Sequence, residues 1–169
     1  MIKICKKCLT LETYRNKFDS KNICSACIAF SERKKINWSN RKKEFIKIFK
    51  NKKKRFDCLI PVSGGKDSTY QILKARSLGI KPLCLFVDTG HLSKIGQRNL
   101  NNLENFNINF IHFKFDKKIS NTLSKIGLLE VGDIEWLENV AINTVTLWIA
   151  IKLRIDKILW GENSQSEYG

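Results

Sequence analysis

The sequence contains no apolar run that approaches the roughly 18 residues of a membrane-spanning helix. Its most apolar segment, Val140 to Ile155, is interrupted by Asn143, Thr144, Thr146, Lys152 and Arg154 and reads as a buried helix. The first residues, Met1-Ile2-Lys3-Ile4-Cys5-Lys6-Lys7, lack the sustained apolar stretch of a secretory leader. A cytoplasmic protein with no membrane span is therefore expected. Internal repeats are absent, as are low-complexity linkers apart from one lysine-rich segment. Histidine is scarce, with only His91 and His112. No Ser–His–Asp or Cys–His pair is visible, so triad-type nucleophilic catalysis has no candidate. His112 lies in an alternating strand pattern and reads as structural. His91 sits on a strand-end loop and reads equally as solvated or as catalytic.

Acidic residues are also few: 16 Asp and Glu stand against 31 Lys and Arg in 169 residues, a net charge of +15. That excess invites a nucleic-acid reading. Its distribution argues against one. Residues 33–55 carry 12 Lys/Arg and one Glu, net +11, which leaves the rest of the chain near +4. Lys, Asn and Ile are abundant together, as codon bias in an AT-rich genome would produce. The charge therefore does not by itself call for a nucleic-acid partner. The ordinary apolar fraction of 43% supports a real core. The length suggests one medium domain with a small appendage.

The six cysteines of a cytoplasmic chain should be thiols or metal ligands rather than disulfides. Cys5-x-x-Cys8 and Cys24-x-x-Cys27 are separated by 15 residues, the spacing of two knuckles that close on one tetrahedral zinc. The residues between them are too few and too polar to form a core, so metal binding would supply the folding energy. Four protein thiolates fill the coordination sphere, which makes the zinc structural rather than catalytic. Cys58 and Cys84 fall inside apolar strands and read as core residues.

Residues 1–30 are thus expected as a zinc-ribbon-like module, 31–55 as a basic linker and helix, and 56–169 as a nucleotide-binding α/β domain. In the linker helix, Trp38, Phe45, Ile48 and Phe49 mark one apolar face, with Ser39 or Asn40 as its cap. Apolar runs at 56–62, 83–87 and 107–115 read as strands. Lys157-Ile158-Leu159-Trp160 reads as a short fourth. Helical patterns at 68–78, 92–105, 116–127 and 140–155 alternate with them. Residues 128–138 fit no pattern. Alternating strands and helices predict a Rossmann-like parallel sheet of about four strands.

The first strand runs into Pro61-Val62-Ser63-Gly64-Gly65-Lys66-Asp67-Ser68-Thr69, and a helix leaves it. A strand that breaks at two glycines and restarts as a helix aims unpaired N–H groups at one point, which makes an anion site. Gly64 and Gly65 let backbone approach a phosphate. Ser63 and Ser68 add hydroxyl donors and Lys66 adds charge. Asp67 suits a Mg²⁺ shared with the phosphates. Ligands of open α/β sheets sit beyond the carboxyl ends of the strands. That rule brings in Asp88 after the second strand and Gly161, Glu162 and Asn163 after the fourth. Asp88 reads equally as a strand-end cap.

The run Ser-Gly-Gly-Lys-Asp-Ser resembles the pyrophosphate-binding loop of the PP-loop ATP pyrophosphatases. They activate a carbonyl oxygen with AMP and release pyrophosphate. With the four-cysteine head, the basic helix after Trp38, Asp57-Cys58-Leu59-Ile60-Pro61-Val62 before the loop, and Gly161-Glu162-Asn163 with Glu167-Tyr168-Gly169 after it, the chain resembles the N-acetyl sugar amidotransferase family. That family serves lipopolysaccharide and pseudaminic acid biosynthesis, including flagellar sugars.

The resemblance implies an ATP- and Mg²⁺-dependent enzyme that adenylylates the acetamido oxygen of an N-acetyl sugar and converts it to acetamidino. It implies Lys66 and Asp67 as catalytic residues and a glutamine amidotransferase partner that supplies ammonia. The chain has no glutaminase nucleophile of its own, in keeping with imported ammonia. Two departures stand out. The family's Cys/His-containing segment after Gly-Asp-x-x-Trp is replaced by Leu137-Glu138-Asn139. The chain also stops just after the fourth strand, about half the family's usual length, so a C-terminally incomplete domain is expected. The competing readings are a PP-loop tRNA-thiolating enzyme and an inactive, truncated nucleotide-binding relic.

Overall fold

A computed structural model describes residues 3–13, 16–49 and 54–161. The chain divides into two compact units, Met1–Phe45 and Ile46–Gly169. Among the described residues no helix is long and apolar enough to cross a membrane.

In the first unit two isolated antiparallel bridges, Ile4 with Leu11 and Phe18 with Cys24, shape the loops that carry the cysteines. Leu9 and Asn22 hold left-handed backbone, at φ 60° and 58°, where each loop turns back. Helix α1, Ser25–Glu32, follows the second loop and buries none of its own residues. A unit built this way has little apolar burial to stabilise it. Helix α2, Trp38–Phe49, is capped by Asn37, whose Oδ1 accepts from the Asn40 N–H at 3.0 Å, rather than by Ser39 or Asn40. Of its expected apolar stripe Phe49 is buried, while Trp38 and Ile48 remain exposed.

The second unit is an α/β layer structure on a three-stranded parallel sheet ordered β1-β2-β3: Cys58–Pro61, Pro82–Asp88 and Asn109–Lys114. The central strand β2 is buried along its whole length and pairs on both edges, as its unbroken apolar run requires. Its alternate residues face opposite ways. Leu83, Leu85 and Val87 join Leu59 in one cluster with Leu137, Ala141, Val145 and Ala150 of helix α6, Trp136–Lys152. Helix α3, Lys66–Ser77, packs on β1 and β2 through buried Ile72 and Ala75. Helices α4, Lys94–Glu104, and α5, Lys117–Ile126, connect the remaining elements. Asp57, the charge inside the first apolar run, closes the entry to β2: its Oδ2 accepts from the Lys81 N–H at 2.8 Å.

The sheet has three strands where about four were expected. Lys157-Ile158-Leu159 forms one parallel bridge instead, Ile158 beside Leu59. The Leu59 N–H donates to the Lys157 carbonyl and the Leu159 N–H to the Leu59 carbonyl, both at 2.9 Å. The next residue of β1 on that edge is Pro61, which has no N–H to extend the ladder. The proline that leads into the loop thus ends the fourth strand.

Residues 128–138 resolve into a π-helical turn, Gly127–Val131, and a left-handed Gly132 at φ 77°. Asp133 then accepts from the Glu135 N–H at 2.8 Å. That turn leads into α6, whose N-cap is Glu135 without a side-chain cap bond, so the helix starts at Trp136, four residues before the expected Val140. Thr146, at the centre of α6, is 0% exposed, and its hydroxyl has no hydrogen-bond partner. An unpaired buried hydroxyl costs about 1–3 kcal/mol. Thr146→Val is therefore expected to raise the urea unfolding midpoint, with a gain of about 1 kcal/mol.

Candidate functional site

The loop after β1 is held from both sides. The Val62 N–H donates to the Leu85 carbonyl at 2.8 Å, which continues the β1–β2 pairing past Pro61. Gly64 then turns at φ 75°, and Asn99 of α4 donates its side-chain amide to the Gly64 carbonyl at 2.9 Å. A Cβ at Gly64 would lie 2.9 Å from the Gly96 carbonyl oxygen, so conformation and space both require glycine. Gly65 is the N-cap of α3 and offers no side-chain cap. Ser68 and Thr69 do not supply one either: both hydroxyls donate to the Gly65 carbonyl, at 3.2 and 2.8 Å. The first N–H groups of α3 are left for a ligand, with the positive end of the helix behind them.

A cavity of about 450 Å³ opens at this point. Ser63, Gly65, Asp67 and Ser68 line it from the loop, Phe86 and Val87 from the end of β2, and Trp160 and Gly161 from the segment after α6. Glu138, Asn139, Ile142 and Asn143 of α6 complete it. The sequence reading placed none of these four in the site, although it singled out Glu138 and Asn139 as standing where the family has a Cys/His-containing segment. The signal was present: Leu137, Ala141 and Val145 repeat at helical spacing, so the helix extends back and exposes the neighbouring stripe. Gln71 of α3 fixes the far wall by donating to the Trp160 carbonyl at 2.6 Å.

The expected site residues divide into three groups. Ser63, Gly65, Asp67, Ser68 and Gly161 share the cavity, and Gly64 shapes it from behind. Lys66 lines a second, more open groove of about 710 Å³, with Tyr70 and Leu73 of α3 and Asn99 of α4. Asp88 lines neither. The residue is buried; its Oδ1 accepts from the Gly90 N–H at 2.8 Å and Oδ2 lies 3.1 Å from His112 Nε2. His112 is thereby tied to the sheet. His91 contacts the Ser124 hydroxyl at 3.4 Å and lies outside the cavity. Glu162 and Asn163 lie outside the described residues. Asp67 is exposed and has no ion-pair or hydrogen-bond partner among the described residues, so its carboxylate suits a hydrated cation such as Mg²⁺.

In the first unit the sulfur atoms of Cys5, Cys8, Cys24 and Cys27 all lie within 4.8 Å of one another. The pairs Cys8–Cys24 and Cys5–Cys27 are 3.5 and 4.0 Å apart. A tetrahedral zinc with bonds of about 2.3 Å needs sulfurs about 3.8 Å apart, so the four fit one ion. The N–H groups of Lys7 and Cys24 donate to the Cys5 sulfur at 3.4 and 3.3 Å. Burial opposes ionisation of Cys5, but the N–H groups of Cys24, Cys8 and Lys7 together with the Cys24 thiol outweigh it and lower the thiol to about 6. A thiolate is the form that binds metal. Cys58 and Cys84 are 0% exposed. Burial, with the neighbouring Asp57 for Cys58 and with Cys58 for Cys84, pushes both up to about 12. They are inert core residues.

No family model matches the chain. Over 108 residues it is 30% identical to an uncharacterized protein of Methanocaldococcus jannaschii. The alignment takes in 62% of this chain and 36% of that protein, so the chain spans about a third of its relative's length.

Two outcomes test the site. The purified protein is expected to carry one metal equivalent that Cys24→Ser removes, measured by elemental analysis, with loss of the protease resistance of residues 1–45. Gly64→Ala is expected to lower stability by about 1–3 kcal/mol, read by denaturant unfolding, because it adds backbone strain and a clash at once.

Proposed function

We propose that the chain uses the Ser63–Ser68 loop to bind the phosphates of ATP and transfers AMP to the acetamido oxygen of an N-acetyl sugar, so that ammonia can convert it to an acetamidino group. The observation that carries this reading is the joining of loop and crevice. An uncapped helix N-terminus behind two glycines shares one cavity with Asp67, two strand ends and a polar stripe of α6.

An amide carbonyl is a poor electrophile. Attack of its oxygen on the α-phosphorus forms an O–P bond and expels pyrophosphate. The carbon becomes an imidate with AMP as leaving group. The N–H groups at the start of α3 and the Ser63 hydroxyl are placed to take up the charge that develops on the departing phosphates. A Mg²⁺ held by Asp67 would neutralise that charge further. Lys66 adds positive charge from the neighbouring groove. Phe86, Val87 and Trp160 supply apolar surface for the rest of the ligand.

Among the described residues no cysteine is paired with a base as a glutaminase nucleophile would be, and in this reading a partner amidotransferase supplies the ammonia. The four-cysteine unit holds structural zinc, a thiolate site suited to a reducing cytoplasm. Inert cysteines count against the tRNA-thiolating alternative. That chemistry needs a reactive thiol near the nucleotide, whereas neither Cys58 nor Cys84 lines the cavity.

The test is release of AMP and pyrophosphate by the purified chain with Mg²⁺, ammonium chloride and a panel of N-acetylated sugars and their nucleotide-linked forms. Release is expected only with an acetylated sugar; stimulation by tRNA instead overturns the reading. Asp67→Ala is expected to reduce release by about 10²-fold or more. Lys66→Ala should cost less, because Lys66 lines the adjoining groove.

A further inference from the structure

The described lining of the loop cavity holds two carboxylates, Asp67 and Glu138, and no lysine or arginine. In a chain of net charge +15 that is an unusual exclusion of cations from a site built for an anion. Asp67 belongs to the phosphate loop. Glu138 does not: it comes from the first turn of α6, a different element. It is exposed and has no hydrogen-bond or ion-pair partner among the described residues. One turn further on, Asn143 donates its amide to the Asn139 carbonyl at 2.8 Å, which leaves the Asn143 side-chain oxygen as an acceptor. The α6 wall thus presents acceptors and a base.

We propose that Glu138 is the proton acceptor for the nitrogen nucleophile, with Asn143 helping to hold it; this rests on the amidation reading above. Ammonium has no free electron pair. It gives one proton to Glu138, and the freed pair forms the C–N bond to the adenylylated imidate carbon. The added nitrogen then loses a second proton to water. The C–O bond breaks, its electrons leave with AMP, and the amide oxygen goes with them. The sugar retains a positively charged acetamidino group. No oxidant or reductant is involved.

The experiment compares the wild-type chain with Glu138→Gln, using ammonium chloride or hydroxylamine as nucleophile at neutral pH. Ammonium must be deprotonated before it attacks, whereas hydroxylamine is already largely neutral. The readout is the ratio of ammonium- to hydroxylamine-dependent product, and circular dichroism checks that E138Q keeps its fold. Ammonium-dependent product should fall by about 10²-fold or more, while hydroxylamine-dependent product stays within about threefold of wild type. Equal losses with both nucleophiles or an unchanged ammonium rate each overturn the role of Glu138. Absence of any sugar-dependent product in the wild type is a different result: it overturns the amidation reading, and the assignment of Glu138 with it.

Discussion

The parallel pairing of β1 with β2 is the constraint on which the second unit depends. β2 is buried on both faces and paired on both edges, so it admits little change of register. Once Leu59 is set opposite Leu83 and Val62 bonds to Leu85, both strands end at the same edge. The loop must leave there, and Gly64 must turn under α4. The same pairing exposes Leu83, Leu85 and Val87 on one face, where α6 packs and carries its polar stripe to the cavity. The phosphate cradle and its opposite wall are thus two consequences of one strand pairing.

Charge is distributed against the average of the chain. The surplus of lysine and arginine gathers in residues 33–55, while the loop cavity has none in its described lining. Its anion-binding capacity rests on backbone N–H groups and a helix end. These direct positive potential at one point without a mobile side chain that also attracts solvent anions. A site of this kind accommodates carboxylates beside the phosphates, which a cluster of lysines would neutralise. Net charge was therefore a poor guide to the chemistry of the cavity.

Much of the fold was legible because it rests on local chemistry. The glycine pair and the apolar runs of β1 and β2 each act within a few residues. The structure adds to or alters the reading where a distant partner decides. Ile158 pairs only once because Pro61, nearly a hundred residues earlier, lacks a donor. α6 starts at Trp136 after a turn that Asp133 closes on the Glu135 N–H, and its value to the site depends on packing against β2. Asp88, as readily a cap as a ligand in the sequence, is engaged with Gly90 and with His112 from the adjacent strand. Lys66 sits in the expected motif, yet its position at the first turn of α3 sets it in the groove beside α4.

The sequence alone determined the cysteine spacing that brings four sulfurs within reach of one ion, and the Ser-Gly-Gly-Lys-Asp-Ser run that breaks a strand into a helix. Both follow from covalent spacing and local backbone preference. Only the tertiary structure decided which side chains share the cavity, that Glu138 and Asn143 are among them, and that Lys66 and Asp88 are not. Membership of a cavity is set by register and helix packing, which join residues from β1, β2, α3 and α6, and no local pattern encodes that union.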